Sequence, residues 1–176
     1  VYGIAALAKD KKAVDKVFRI KKRPKSMPLI IFVKSLNEAK KIAYFSKLDT
    51  KLARHFWPGS LTLILNKKTK NIYYGDQRLN KIGVRIPNNK IIRALLNAVK
   101  NPLATTSANI HNEENVRDIS NLSILRNKYL KTAIEDKKNM SFTESTIIAT
   151  HENNFKILRK GKVKISEIRK VVKNEN

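Results

Sequence analysis

Ile82-Gly83-Val84-Arg85-Ile86-Pro87, then Ile91-Ile92-Arg93-Ala94-Leu95-Leu96-Asn97-Ala98-Val99, then Leu103-Ala104-Thr105-Thr106: this succession, across residues 82–106, decides the fold class. The first run is short, apolar and stopped by Pro87, which can neither continue a helix nor donate to a central ladder. The second places apolar residues at helical spacing, Ile91, Ile92, Leu95, Leu96 and Val99. The third is again a short apolar run ending in hydroxyl side chains. A strand, a helix and a strand within one stretch of this size imply layered α/β architecture.

Outward from that stretch the same alternation continues. Toward the N-terminus, Leu61 to Leu65 and Leu29 to Val33 read as buried strands, with a short helix ending before Pro58-Gly59. A helix over Lys9 to Ile20 carries Val14, Val17 and Phe18 as its apolar stripe. Asn37 is expected to cap another, with Ala39, Ile42, Ala43 and Phe45 turned to the core. Toward the C-terminus, Thr146 to Ala149 and Phe155 to Leu158 are expected strands. A helix is expected around Leu125 to Ile134 within the polar stretch 113–142. The tail 162–176 is expected to be a terminal helix with Ile165, Ile168 and Val172 inward, fraying at its end. The reading is one α/β domain with a twisted mixed sheet and flanking helices.

Composition narrows the chemistry. The chain has 176 residues, enough for one ordinary domain with a real core. It contains no cysteine, which rules out disulfides, thiol catalysis and Cys-based zinc sites within this sequence. The longest apolar runs fall far short of the roughly 20 residues needed to cross a bilayer. The opening Val1-Tyr2-Gly3-Ile4-Ala5-Ala6-Leu7-Ala8 lacks the basic flank of a signal peptide, so a cytoplasmic location is expected. Lys and Arg number 38 against 14 Asp and Glu, a formal net charge of +24 that attracts polyanions such as nucleotides and RNA. A compositional bias of the encoding genome accounts for the total as well, because the excess is Lys scattered throughout with Asn and Ile.

Three constellations could carry chemistry. Lys21-Lys22-Arg23-Pro24 sits between an expected helix and an expected strand. There an ammonium and a guanidinium can converge on one polyphosphate, or merely form a solvated turn. If the segment is extended, Lys22 points away from the other two. Thr105-Thr106-Ser107-Ala108-Asn109 ends a strand in hydroxyl and amide groups, suited to phosphate or ribose oxygens, although the segment taken alone reads first as a turn that satisfies its own backbone. Arg85 lies among apolar neighbours and needs an anionic partner, either a carboxylate ligand or a structural acid. His55, His111 and His151 show no metal-ligand spacing, and no metal site held by the protein is expected. The glycines form neither a Gly-x-Gly-x-x-Gly nor a Walker loop.

The order of these signals is more specific than any one of them. Val1-Tyr2-Gly3, Lys21-x-Arg23-Pro24, His55-Phe56-Trp57-Pro58-Gly59-Ser60-Leu61-Thr62, Gly83-Val84-Arg85-Ile86-Pro87, Ser107-Ala108-Asn109, Ser145-Thr146 and Leu158-Arg159-x-Gly161 succeed one another from Val1 to Gly161. The series resembles the TsaC/YrdC family of L-threonylcarbamoyladenylate synthases. The resemblance implies a YrdC-like α/β sheet with a basic concave cavity. It also implies that Lys21, Arg23, Ser107 and Asn109 are catalytic and meet the ATP phosphates, with Arg159 holding the nucleotide. Met27, Lys81 and Asn115 would line the nucleotide side, and Arg85, Thr105 and Ser145 the threonine side.

The implied reaction joins L-threonine, bicarbonate and ATP into threonylcarbamoyl-AMP and pyrophosphate for tRNA threonylcarbamoyladenosine modification. Mg²⁺ would be carried with ATP, and tRNA and a downstream transferase complex are the implied partners. Departures from the family pattern are Met27, Phe32, His111 and Asn112 and the stretch 139–144, and the sequence starts just after the place of a Pro-Thr-(Asp/Glu)-Thr segment that precedes Val-Tyr-Gly in relatives. The alternative is a noncatalytic protein that binds double-stranded RNA or tRNA on the same fold.

Overall fold

The structure, a computed structural model, describes residues 1–68, 79–109, 128–130, 132–135 and 143–173. Seven strands and five helices occur in this range. In chain order they are β1 (Gly3–Leu7), α1 (Lys11–Lys21), β2 (Ile30–Phe32), α2 (Leu36–Ile42), α3 (Lys47–Phe56) and β3 (Leu61–Asn66). There follow β4 (Lys81–Arg85), α4 (Lys90–Val99), β5 (Leu103–Ser107), β6 (Thr146–His151), β7 (Asn154–Arg159) and α5 (Ile165–Lys173). One mixed sheet takes all seven strands in the order β1-β5-β2-β4-β3-β6-β7. The β2–β4 and β3–β6 pairs are parallel and the rest antiparallel.

One sheet face carries the main core. Ile31, Leu61, Leu63, Leu65, Ile82, Val84, Ala104 and Ile148 are all at most 3% exposed and pack with Val14, Val17 and Phe18 of α1, Leu52 of α3 and Ile168 of α5. Each buried Leu or Ile there contributes roughly 1.5–3 kcal/mol through area removed from water. Strand alternation turns the intervening residues to the opposite face. That second face positions the site.

Local chemistry explains the differences from the sequence expectation. Helix α2 is capped by Ser35, whose hydroxyl accepts from Glu38 N, and not by Asn37. Ser35-Leu36-Asn37-Glu38 has capping-box spacing, and Glu38 reaches back to Lys34 N. The helix stops at Ile42, so Ala43 is buried in an extended bridge to Lys67, and Phe45 packs edge-on against Trp57. Strand β1 has no counterpart in the expectation. Its Gly and Ala residues carry little β signal, and it is held as an edge by pairing with β5. Helix α5 buries Val171 with Ile168, leaving Val172 half-buried. The expected helix at 125–134 falls mostly outside the described residues, and 128–130 and 132–135 are turn or irregular backbone.

Helix α1 ends in a way the sequence reading did not anticipate. Asp10 caps its start by accepting from Ala13 N. At the other end Lys22 adopts the left-handed conformation (φ 50°, ψ 36°), and the N–H groups of Lys22 and Arg23 return to Arg19 O and Phe18 O. The segment 21–23 is therefore not extended. Lys21 is the last helical residue and faces inward, while Lys22 is thrown into solvent by the C-terminal turn.

Candidate active site

A glycine marks the free face of the sheet. A Cβ on Gly83 would meet the side chains of Ile64, Thr62 and Ile30, so these residues share its face. The register then places Thr105 opposite Ile30, and Arg85 two residues from Gly83 beside Phe32. Ser107 lies two residues past Thr105 in the other direction. Arg85 and Ser107 are thus offset by about 13 Å along the strand direction. Two polar clusters stand at those two ends.

The first cluster joins α1 to the end of β5. Lys21 is 1% exposed, and its Nζ donates to Ser107 O at 2.7 Å, Asn109 Oδ1 at 2.7 Å and Ser107 Oγ at 3.4 Å. Ser107 Oγ itself donates to Asn109 Oδ1 at 2.6 Å. An ammonium has three hydrogens, and these three acceptors match them. The buried charge is therefore solvated by the chain. Because Asn109 Oδ1 already accepts twice, its amide nitrogen is turned away from the lysine.

The second cluster is built around Arg85. Its Nε donates to Gly59 O at 2.6 Å, and its guanidinium carbon lies 5.4 Å from the Phe32 ring centre. Gly59 is delivered by a turn whose cis Trp57–Pro58 bond follows α3. The Trp57 indole donates to Leu61 O at 2.7 Å, and Gly59 N donates to Ile86 O at 2.9 Å. A side chain at Gly59 would strike the Phe56 backbone. Burial first, and the charge of Arg159 second, push the Arg85 pKa down to about 10. The side chain stays cationic at pH 7, and its Nη atoms have no hydrogen-bond acceptor among the described residues.

Arg159 completes this second cluster. Its Nε donates to Ser145 O at 3.1 Å, Nη2 to Ser145 Oγ at 3.0 Å and Nη1 to Glu144 Oε2 at 2.7 Å. Thr62 Oγ1 donates to Ser145 Oγ at 2.9 Å in a fully buried contact. Gly161 permits this arrangement, because a Cβ there would lie 2.5 Å from Glu144 O and 2.6 Å from Thr146 N. The Leu158-Arg159-x-Gly161 motif is thus a device for laying β7 against residues 144–146.

The remaining candidates are more dispersed. Arg23 donates from Nε to Met27 O at 2.8 Å and from Nη2 to Pro28 O at 3.3 Å, which closes the loop leading into β2. Met27 is 40% exposed, and exposed Lys81 opens β4 at the end away from Arg85. Thr105 donates to Ile30 O at 2.9 Å across the β5–β2 pair. Asn115, His111, Asn112 and 139–142 lie outside the described residues. No group of three or more His, Asp or Glu able to hold a metal occurs among the described residues, and no helix there is long and apolar enough to cross a membrane. A cavity of about 720 Å³ between α3 and α5, lined by Phe45, Lys47, Arg54, His55 and Val171 among others, contains none of the candidate residues. Sequence reasoning quoted Gly59 and Thr62 within a motif but gave them no role. Only their contacts with Arg85 and Ser145 reveal one.

Comparison with known proteins bears on the family and the fold. The Sua5/YciO/YrdC family model, described as telomere recombination, matches residues 1–161. A Methanocaldococcus jannaschii protein provisionally assigned as a threonylcarbamoyl-AMP synthase is 37% identical over 96% of this chain and 79% of its own length. The threonylcarbamoyl-AMP synthase of Pyrococcus abyssi is 31% identical over 98% of this chain. This chain spans about half the length of that relative, 51%. The crystal structure of P. abyssi Sua5 complexed with L-threonine superimposes with a TM-score of 0.88 at 31% identity, covering 98% of this chain and 51% of that one.

Proposed function

The chain belongs to the Sua5/YciO/YrdC family, and from that premise we propose that it forms threonylcarbamoyl-AMP and pyrophosphate from L-threonine, bicarbonate and ATP. The observation that carries the reading is the presence, on one sheet face, of two polar clusters suited to two anionic substrates. Bicarbonate and the threonine amine condense to a carbamate with loss of water. A carbamate oxygen then forms a bond to the α-phosphorus of ATP as the bond to the pyrophosphate oxygen breaks. Such a transfer needs alignment and charge neutralisation more than a dedicated base.

The Arg85 guanidinium takes the threonine carboxylate, because it is charged, largely withdrawn from water and has Nη donors that meet no acceptor among the described residues. Ser107 and Asn109 face the nucleotide phosphates, with Lys21 fixing both and adding its charge from behind. Arg23 lies with them on the nucleotide side, as do the loop at Met27 and strand end at Lys81. Thr105 lines the threonine side with Ser145. Arg159, bonded to Ser145, stands where the α-phosphate meets the carbamate. Mg²⁺ enters on the phosphates and keeps most of its waters. The product is a mixed anhydride that needs an acceptor, and tRNA with a transferase complex, in the cytoplasm, is the proposed destination. Pyrophosphate release is the test. It should require threonine and bicarbonate together, and ATP turnover indifferent to both would overturn the reading.

A further inference from the structure

Hydrogen-bond accounting around Ser145 yields a role for a residue outside the site assigned so far. Thr62 is 0% exposed, and the only acceptor facing its hydroxyl among the described residues is Ser145 Oγ at 2.9 Å. Two hydroxyls sharing one contact leave one hydrogen over: on Thr62, 0% exposed, that hydrogen could meet nothing, whereas on Ser145, 4% exposed at the entry to β6, it can meet a ligand. Thr62 therefore donates to Ser145. Arg159 has no acceptor capacity at all, so its Nη2 at 3.0 Å donates to the same oxygen. A serine hydroxyl has two lone pairs and one hydrogen. Both lone pairs of Ser145 Oγ are taken, and its own hydrogen has no acceptor among the described residues although the residue is only 4% exposed.

We propose that Thr62 is a positioning residue that forces Ser145 to act solely as a hydrogen-bond donor, aimed at an acceptor oxygen of the amino-acid substrate. The polarity follows from the strands. Thr62 projects from β3 on the face of Gly83, and Ser145 sits at the entry to the parallel neighbour β6, where Leu61 pairs with Thr146. Together with the Nη donors of Arg85, Ser145 gives this end of the site convergent N–H and O–H groups, beside the Glu144 carboxylate that Arg159 holds. It selects a ligand rich in lone pairs and rejects one that offers a donor at that position, which would leave two hydrogens facing each other. The inference rests on the proposed synthase reading.

The experiment measures KM for threonine and for ATP, and kcat, from pyrophosphate release by the wild type, Thr62→Val, Thr62→Ser, Ser145→Ala and the Thr62→Val/Ser145→Ala double variant. Valine is nearly isosteric and removes the hydroxyl. Serine keeps the hydroxyl and supplies a second test if the valine variant does not fold. Thr62→Val should raise the threonine KM about fivefold to tenfold, leave the ATP KM within about twofold, and add nothing to Ser145→Ala. Thr62→Ser should lie within about twofold of the wild type. An unchanged threonine KM in Thr62→Val, a rise shared equally by ATP, or additive single variants would overturn the proposal. If Thr62→Val does not fold, a Thr62→Ser threonine KM raised as far as in Ser145→Ala would do so. Wild-type release that ignores threonine would instead overturn the synthase reading, and this inference with it.

Discussion

The two polar clusters on the free sheet face solve opposite problems with similar residues. At the β5 end, Lys21 spends all three ammonium hydrogens on Ser107 and Asn109, and a charge only 1% exposed is stabilised by neutral oxygens of its own chain. At the β3–β6 end, Arg85 uses one nitrogen on Gly59 O, and its Nη atoms have no acceptor among the described residues, beside a second guanidinium. Among the described residues, the ammonium hydrogens of Lys21 all meet acceptors and the Nη atoms of Arg85 meet none. Buried cations differ in role according to whether their donors are already used. A lysine with saturated donors organises its neighbours, and an arginine with spare donors binds.

The largest expected effect comes from dismantling the saturated cluster. Lys21→Ala should lower kcat/KM by about 100-fold or more and also lower the melting temperature, because Ser107 O and Asn109 Oδ1 lose a charged donor in a buried place. Activity lost with unchanged stability would make Lys21 a direct substrate contact. Next, Gly161→Ala should cost about 2–3 kcal/mol in denaturant unfolding, since the new methyl meets the backbone of residues 144–146, which cannot step aside locally. A variant as stable as wild type would show that β7 does not fix Ser145 as described.

Smaller effects separate ligand binding from architecture. Arg85→Lys should weaken threonine binding about tenfold, roughly 1.4 kcal/mol, with the ATP dissociation constant unchanged within about twofold. Titration calorimetry with each substrate separately reads both. A loss confined to ATP would reverse the assignment of the two clusters. Lys22→Ala should be nearly silent, within about 0.5 kcal/mol in stability and twofold in kcat/KM, because Lys22 points to solvent. Equal losses at Lys21 and Lys22 would replace the built cluster with a diffuse basic patch, as RNA binding would require.

The alternation of strand and helix, the position of Arg85 on a strand and the ordered motifs were all legible in the residues, because hydrophobic periodicity and Pro or Gly punctuation are local signals. So were Ser107 and Asn109 as a pair, two residues apart at a strand end. The orientation of Lys21 was not. It depends on a helix that continues one residue past its expected end at Ile20, and on a left-handed Lys22 that no Gly or Asn announces. Strand β1 was missed because small residues become a strand only when a neighbour such as β5 supplies the ladder.

What the sequence determined by itself is therefore the inventory: an α/β domain, a cation set in excess of acids, and the residues from which a nucleotide-and-amino-acid site can be made. What only the tertiary structure decided is which donors remain unused. Lys21 meets Asn109 across 88 positions, and Thr62 meets Ser145 across 83. Hydrogen-bond saturation at such range is fixed by sheet register and strand order, and a period-2 or period-3.6 pattern contains no information about which strand will lie beside which.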